Sequence, residues 1–98
     1  GYWRTAGLDG GIIWISPELT TMFGLATDDG RIRLEEIRSR YLGTAAEDLR
    51  RSQAICRAEG LPFFVHAQYS HPQGHVIDLA VHGEAERDET GAITGISG

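Results

Sequence analysis

Residues 63–82 alternate between apolar and more polar positions on both sides of one tight turn, and that stretch alone commits the chain to an antiparallel sheet. Phe63, Val65, Ala67 and Tyr69 alternate with Phe64, His66, Gln68 and Ser70. Beyond Pro72-Gln73-Gly74, Ile77, Leu79 and Val81 alternate with Val76, Asp78, Ala80 and His82. A strand sends successive side chains to opposite faces, so each run has one apolar and one more polar face. A turn that pairs His71 with His75 also fixes the register. His66 then faces Ala80, and Phe64 faces His82.

The remaining punctuation supplies the other elements. Tyr2 to Thr5 and Gly11 to Ile15 flank Leu8-Asp9-Gly10-Gly11. Asp-Gly provides the positive φ of a tight turn, which predicts a first hairpin. Ser16-Pro17-Glu18 then begins a helix: Ser16 caps it, and Pro17 suits the first helical position. Leu19, Met22 and Phe23 form its apolar face, Gly24 ends it, and Ala26 to Gly30 is a polar loop. Leu34, Ile37 and Tyr41 are spaced for a second short helix. Thr44-Ala45-Ala46-Glu47 matches a capping box, which predicts a long helix to about Glu59 with Gly60 as its stop. Its inward face is expected to carry Leu49, Ser52, Cys56 and Ile55. Asp88-Glu89-Thr90-Gly91 is a further turn, and Ala92 to Ser97 a last strand. The order is ββ, short helices, βββ. One five-stranded antiparallel sheet with helices on one face is the simplest α+β packing of that order.

Composition bounds the function. The chain has 98 residues, enough for one domain, residues 1–98. It begins Gly1-Tyr2-Trp3 and stops at Gly98 in a strand-like stretch, as a piece cut from a longer protein would. Net charge is −5, from 14 acids and 9 bases, with no Lys. The densest basic group, Arg31, Arg33, Arg38 and Arg40, is interleaved with Glu35 and Glu36. Nucleic-acid and membrane contacts, which need clustered cations, are not expected. The lone Cys56 excludes an internal disulfide, and no apolar run approaches the roughly 20 residues of a membrane span, so a cytoplasmic setting is expected.

Residues with the chemistry for a site have a plainer explanation in each case. The acids Glu47-Asp48, Glu84, Glu86 and Asp88-Glu89 lie where helix starts or solvent account for them. His66 and His82 are diagonal neighbours on one strand face, near Asp78. They lack close ligand spacing, so no metal site is expected there. His71 and His75 flank a turn and are expected to be solvated. No nucleophile, base and oxyanion donor converge, so the domain is not expected to be an enzyme.

Taken in order, several motifs resemble a PAS domain, of the fold-3 type common in bacterial signalling proteins such as histidine kinases and cyclic-dinucleotide enzymes. Gly1-Tyr2-Trp3 resembles the opening strand, with Asp9-Gly10 at the first hairpin. Trp14-Ile15-Ser16-Pro17-Glu18-Leu19 resembles the entry to the first helix, and Glu47-Asp48 the start of the long one. Tyr69 to Val76 resembles the strand–turn–strand, and Arg87 to Gly91 the last turn. The resemblance spans the chain, with Ala45-Ala46 standing where the family often has His-Pro.

It implies a sensory or regulatory module whose core, in some members, opens into a ligand pocket. The residues so placed are Ile37, Tyr41, Leu49 and Cys56 from helices and Val65, Tyr69 and Leu79 from the inner sheet face, beside Ala67 and Val81. No cofactor is expected. Haem usually takes a His from the long helix, which has none, and Cys56 lacks the context of a flavin-reactive cysteine. A free Cys more often packs as a small hydrophobe. The alternative is a ligand-free pairing module. Its interface, to a second copy or a partner, would use the outer face of Phe64, Val76, Ala80 and His82, and a homodimer is expected through that face or through flanking segments. An output domain in the same chain is implied in either case.

Overall fold

A computed structural model describes residues 2–5 and 11–98. The Leu8-Asp9-Gly10 part of the first expected turn, and Gly1 of the opening motif, lie outside the described residues. The strands on either side of that turn do pair. β1 (Trp3–Thr5) runs antiparallel to β2 (Ile12–Ile15), with Trp3 opposite Ile15 and Thr5 opposite Ile13.

Helix α1 (Pro17–Phe23) starts and stops as its sequence dictates. Ser16 Oγ accepts the Leu19 N–H at 3.3 Å, and Pro17 opens the helix. Gly24 closes it at φ +67°, in the left-handed region. The chain then forms a strand the sequence did not signal, β3 (Arg31–Arg33), paired to β2 with Ile32 opposite Ile13. Three residues with one apolar side chain carry no visible period, so only the partner strand reveals them. Among the described residues the sheet therefore has six strands, ordered β3-β2-β1-β6-β5-β4, and not the five expected.

Helix α2 (Leu34–Arg38) is shorter than its apolar spacing suggested. Tyr41 lies beyond it, in an isolated bridge to Tyr69. Helix α3 (Ala45–Glu59) ends at Gly60 as expected, but its capping box does not form. Thr44 has φ −94° and ψ 7°, and its side chain caps no amide. Its hydroxyl donates instead to Asp48 Oδ2 at 3.1 Å, while Glu47 takes Arg50 in an ion pair at 2.6 Å. The inward stripe is Ala45, Leu49, Gln53 and Cys56, with Ser52 half-buried. Ile55 is exposed, contrary to expectation. At about 100° per residue it lies well off the axis of Leu49 and Cys56.

β3 and β4 (Phe63–Ser70) are the two edges of the sheet, so α2 and α3 must cross one face to connect them. The expected hairpin register is observed along β4 and β5 (Val76–Arg87), with Phe64 opposite His82 and His66 opposite Ala80. β6 (Ile93–Ser97) pairs with the far half of β5, from Glu84↔Ser97 to Arg87↔Ile93, and with β1 at Arg4↔Ser97. The Asp88 carboxylate organises the preceding turn by accepting the Thr90 and Ala92 amides.

The main core cluster joins Ile13, Ile15, Leu19, Phe23, Ile37 and Tyr69. A second cluster, Ala45, Leu49 and Ala67, lies beneath α3. His71 is buried, not solvated as its turn position suggested. Its Nδ1 accepts the Gln73 N–H at 3.0 Å, its ring stacks on His75 at 4.2 Å, and Gly24 packs against it. Burial, and then the neighbouring His75 and Arg40, lower the pKa of the imidazole.

Candidate functional site

A cavity of about 230 Å³ lies between the helices and the inner face of the sheet. Ile13 and Ile15 of β2 and Leu19 and Phe23 of α1 form one wall. Leu34 and Ile37 of α2, Leu49 of α3, and Tyr41 from the segment between these helices form the next. Leu79 and Val81 of β5 close the sheet side, with Trp3 and Gly98 at the ends of β1 and β6. Of the residues expected to line a pocket, Ile37, Tyr41, Leu49 and Leu79 do so. Cys56, Val65 and Tyr69 do not; Cys56 and Tyr69 are fully buried in packed core.

The sheet side of the cavity has a backbone rim. The Leu42 N–H donates to Gln68 O and the Ser70 N–H to Arg40 O, so even-numbered residues of β4 turn their main-chain groups away from β5. The odd-numbered residues of both strands therefore bond to each other. Ala80 and His82 direct their N–H and C=O the other way. They border the cavity through their main chain, while their side chains lie on the exposed face. A Cβ at Gly98 would overlap the His82 carbonyl oxygen, so the end of β6 lies directly against this rim.

Three polar side chains face an otherwise apolar lining: Arg38, Tyr41 and Gln53. Arg38 Nη2 donates to Gln53 Oε1 at 2.9 Å. Arg38 Nε is buried without an acceptor. Burial depresses the Arg38 pKa most, with the charges of Arg57 and Arg50 adding to it and Glu35 opposing. Neither Arg38 nor Gln53 was singled out as a pocket residue from sequence. The signal existed: Arg38 is four residues from Leu34, and Gln53 four from Leu49, which puts each on the inward face of its helix.

Burial, with Tyr69 adding to it, pushes the Tyr41 phenol up to about 12. The fold thus favours the protonated phenol. That contribution, on the order of 2–3 kcal/mol, is full below the ordinary phenol value near pH 10 and is lost as pH rises toward 12. In urea titrations between pH 9 and 12, wild type should therefore lose stability more steeply than Tyr41→Phe. Parallel profiles would show that Tyr41 is solvated.

The remaining candidates are not brought together. Cys56 is inert by placement: burial raises its pKa against the opposing charges of Arg57 and Arg87. On the exposed face the Phe64 ring contacts both His66, at 5.0 Å, and His82, at 4.4 Å, while Gln68 donates to Asp78 at 3.1 Å. Among the described residues no group of three or more His, Cys, Asp and Glu is placed to hold a metal. Nor is any helix among them long and apolar enough to cross a membrane.

No family model and no curated protein matches this chain. Solved structures do. The N-terminal domain of a diguanylate cyclase with a PAS/PAC sensor, from Marinobacter aquaeolei, covers 99% of this chain and 88% of its own, with a TM-score of 0.80 and 15% identity. The fold is that of a PAS domain. A sensory box histidine kinase/response regulator from Burkholderia thailandensis E264 matches with a TM-score of 0.73 and 12% identity, over 99% of this chain and 71% of that one. The PAS-like order of motifs in the sequence and the path of the backbone therefore agree. Within the PAS fold, the cavity lies between the helices and the sheet and reaches the end of the last strand, β6.

Proposed function

We propose that this chain is the sensory module of a signalling protein and binds a small, mostly apolar molecule in the cavity. The observation that carries the reading is the position of the cavity. It contacts α1, α2, α3 and β5, and it ends on Gly98, beside β6. A ligand changes an equilibrium only by its difference in affinity between two states. Occupancy here bears directly on how the end of β6 packs against β5, which gives the two states a structural basis. The similar domains, from a diguanylate cyclase and a histidine kinase, support a place beside an output domain in the same chain. The module itself carries no chemistry in this reading. Among the described residues no His hydrogen-bonds a Ser, Thr or Cys, and the only thiol is buried.

Native mass spectrometry of freshly purified protein tests the reading. A retained small molecule, lost on mild unfolding, is expected. A bare chain running as a dimer would favour a pairing module instead.

One observation favours that second reading. Phe64 is 53% and Val76 51% exposed on the outer face of the β4–β5 hairpin, beside Ala80 and His82. Burying such a face against a second copy would remove apolar area from water. If it does, Phe64→Glu converts the dimer to monomer in sedimentation; an unchanged mass would dismiss this face as the contact.

A further inference from the structure

The polar end of the cavity names a ligand class, an inference that rests on the ligand-binding reading above. Arg38, Tyr41 and Gln53 line the cavity, and each carries a hydrogen-bond donor. Arg38 Nε is a buried N–H without an acceptor. Gln53 uses its Oε1 to accept from Arg38, which leaves its amide nitrogen as the donor. Among the described residues neither that nitrogen nor the Tyr41 hydroxyl has a hydrogen-bond partner. Among the described residues no Asp or Glu lines the cavity. Arg38 makes no ion pair among the described residues. The Arg38 guanidinium is half-buried, the charges of Arg57 and Arg50 outweigh that of Glu35 beside it, and a carboxylate is its best geometric match. The rest of the lining is aliphatic and aromatic, so the body of the ligand must be apolar.

We propose that the cavity takes a small monocarboxylate with an apolar body, its carboxylate held by Arg38, with Gln53 and Tyr41 donating beside it. A molecule without an acceptor would leave those donors unpaired, and one without an apolar body would leave the walls exposed to water.

The test compares 4-fluorophenylacetate with 4-fluorophenylacetamide by fluorine NMR titration of the full chain. The two probes share size and apolar body and differ in charge. A charge-assisted contact predicts that the carboxylate binds about tenfold tighter or more, with the preference weakening as salt is raised. Arg38→Gln should bring the carboxylate's affinity down to about that of the amide. The wild-type comparison and its salt dependence need no variant, so the idea stands or falls even if Arg38→Gln unfolds. Equal binding of both probes, with Leu49→Trp blocking both, overturns the carboxylate assignment and leaves the ligand-binding reading intact. A preference that survives in folded Arg38→Gln also overturns the assignment. Binding of neither probe would count against both.

Discussion

Tyr69→Ala is expected to cost the fold about 3–5 kcal/mol, the range for deleting a large aromatic from a packed core. Tyr69 is fully buried. Its ring lies 4.8 Å from Phe23 and meets Tyr41 edge-on at 5.7 Å. Its hydroxyl donates to the Phe23 carbonyl oxygen at 2.9 Å. Phe23 is the last residue of α1, where carbonyls have no intrahelical partner. One side chain of β4 thus fills the core and ties the first helix to the far edge of the sheet. For a domain of this size the loss corresponds to a fall in Tm of roughly 15–30 °C. Tyr69→Phe separates the two roles. It keeps the ring, leaves the Phe23 carbonyl unpaired, and should cost about 1–2 kcal/mol. Thermal melts of the three proteins check the order. A Tyr69→Phe loss equal to that of Tyr69→Ala would mean that the hydroxyl, and not the ring, holds α1.

Gly24→Val is expected to destabilise by about 2–4 kcal/mol, for two reasons that act together. Gly24 sits at φ +67°, where a β-branched residue is strained by at least about 1–2 kcal/mol. A Cβ there would also reach the His71 imidazole at 2.5 Å and Pro72 Cδ at 3.0 Å. His71 cannot move away without giving up its bond from the Gln73 N–H and its stack on His75. The substitution therefore loosens the β4–β5 turn as well as the end of α1. Nuclear magnetic resonance of the His71 ring reads the second effect: its environment should shift in Gly24→Val. Gly24→Ala should fall between wild type and Gly24→Val. A Val variant within experimental error of wild type would show that α1 ends in another conformation.

These expectations use contacts that the sequence revealed unevenly, for physical reasons. The β4–β5 register was legible because a period-two pattern and a three-residue turn leave one alignment that keeps both apolar faces on one side. Ser16-Pro17 and Gly24 bounded α1 because caps act locally. β3 was not legible, since Arg31-Ile32-Arg33 becomes a strand only by pairing with β2. The capping box failed where a competing local partner was present: Arg50, three residues on, holds Glu47. Burial of His71 depends on Gly24, 47 positions earlier in the chain, and no local pattern encodes that approach. One wall of the cavity comes from β2 and α1, which have no sequence mark of a pocket beyond their apolar faces. Arg38 and Gln53 were hidden for another reason. Polar residues on a helix are ordinarily assigned to solvent, although their spacing from Leu34 and Leu49 turns both inward.

A fluorine NMR screen of small apolar fragments against wild type and Leu49→Trp reads directly whether the cavity takes a ligand. Leu49 lines the cavity, and the larger ring should fill it without touching the exposed sheet face. Fragments are expected to bind wild type and compete with one another, and to lose binding in a Leu49→Trp variant that still melts cooperatively. Fragments that bind both proteins equally, or no binding to wild type, would contradict a sensory cavity in this fold.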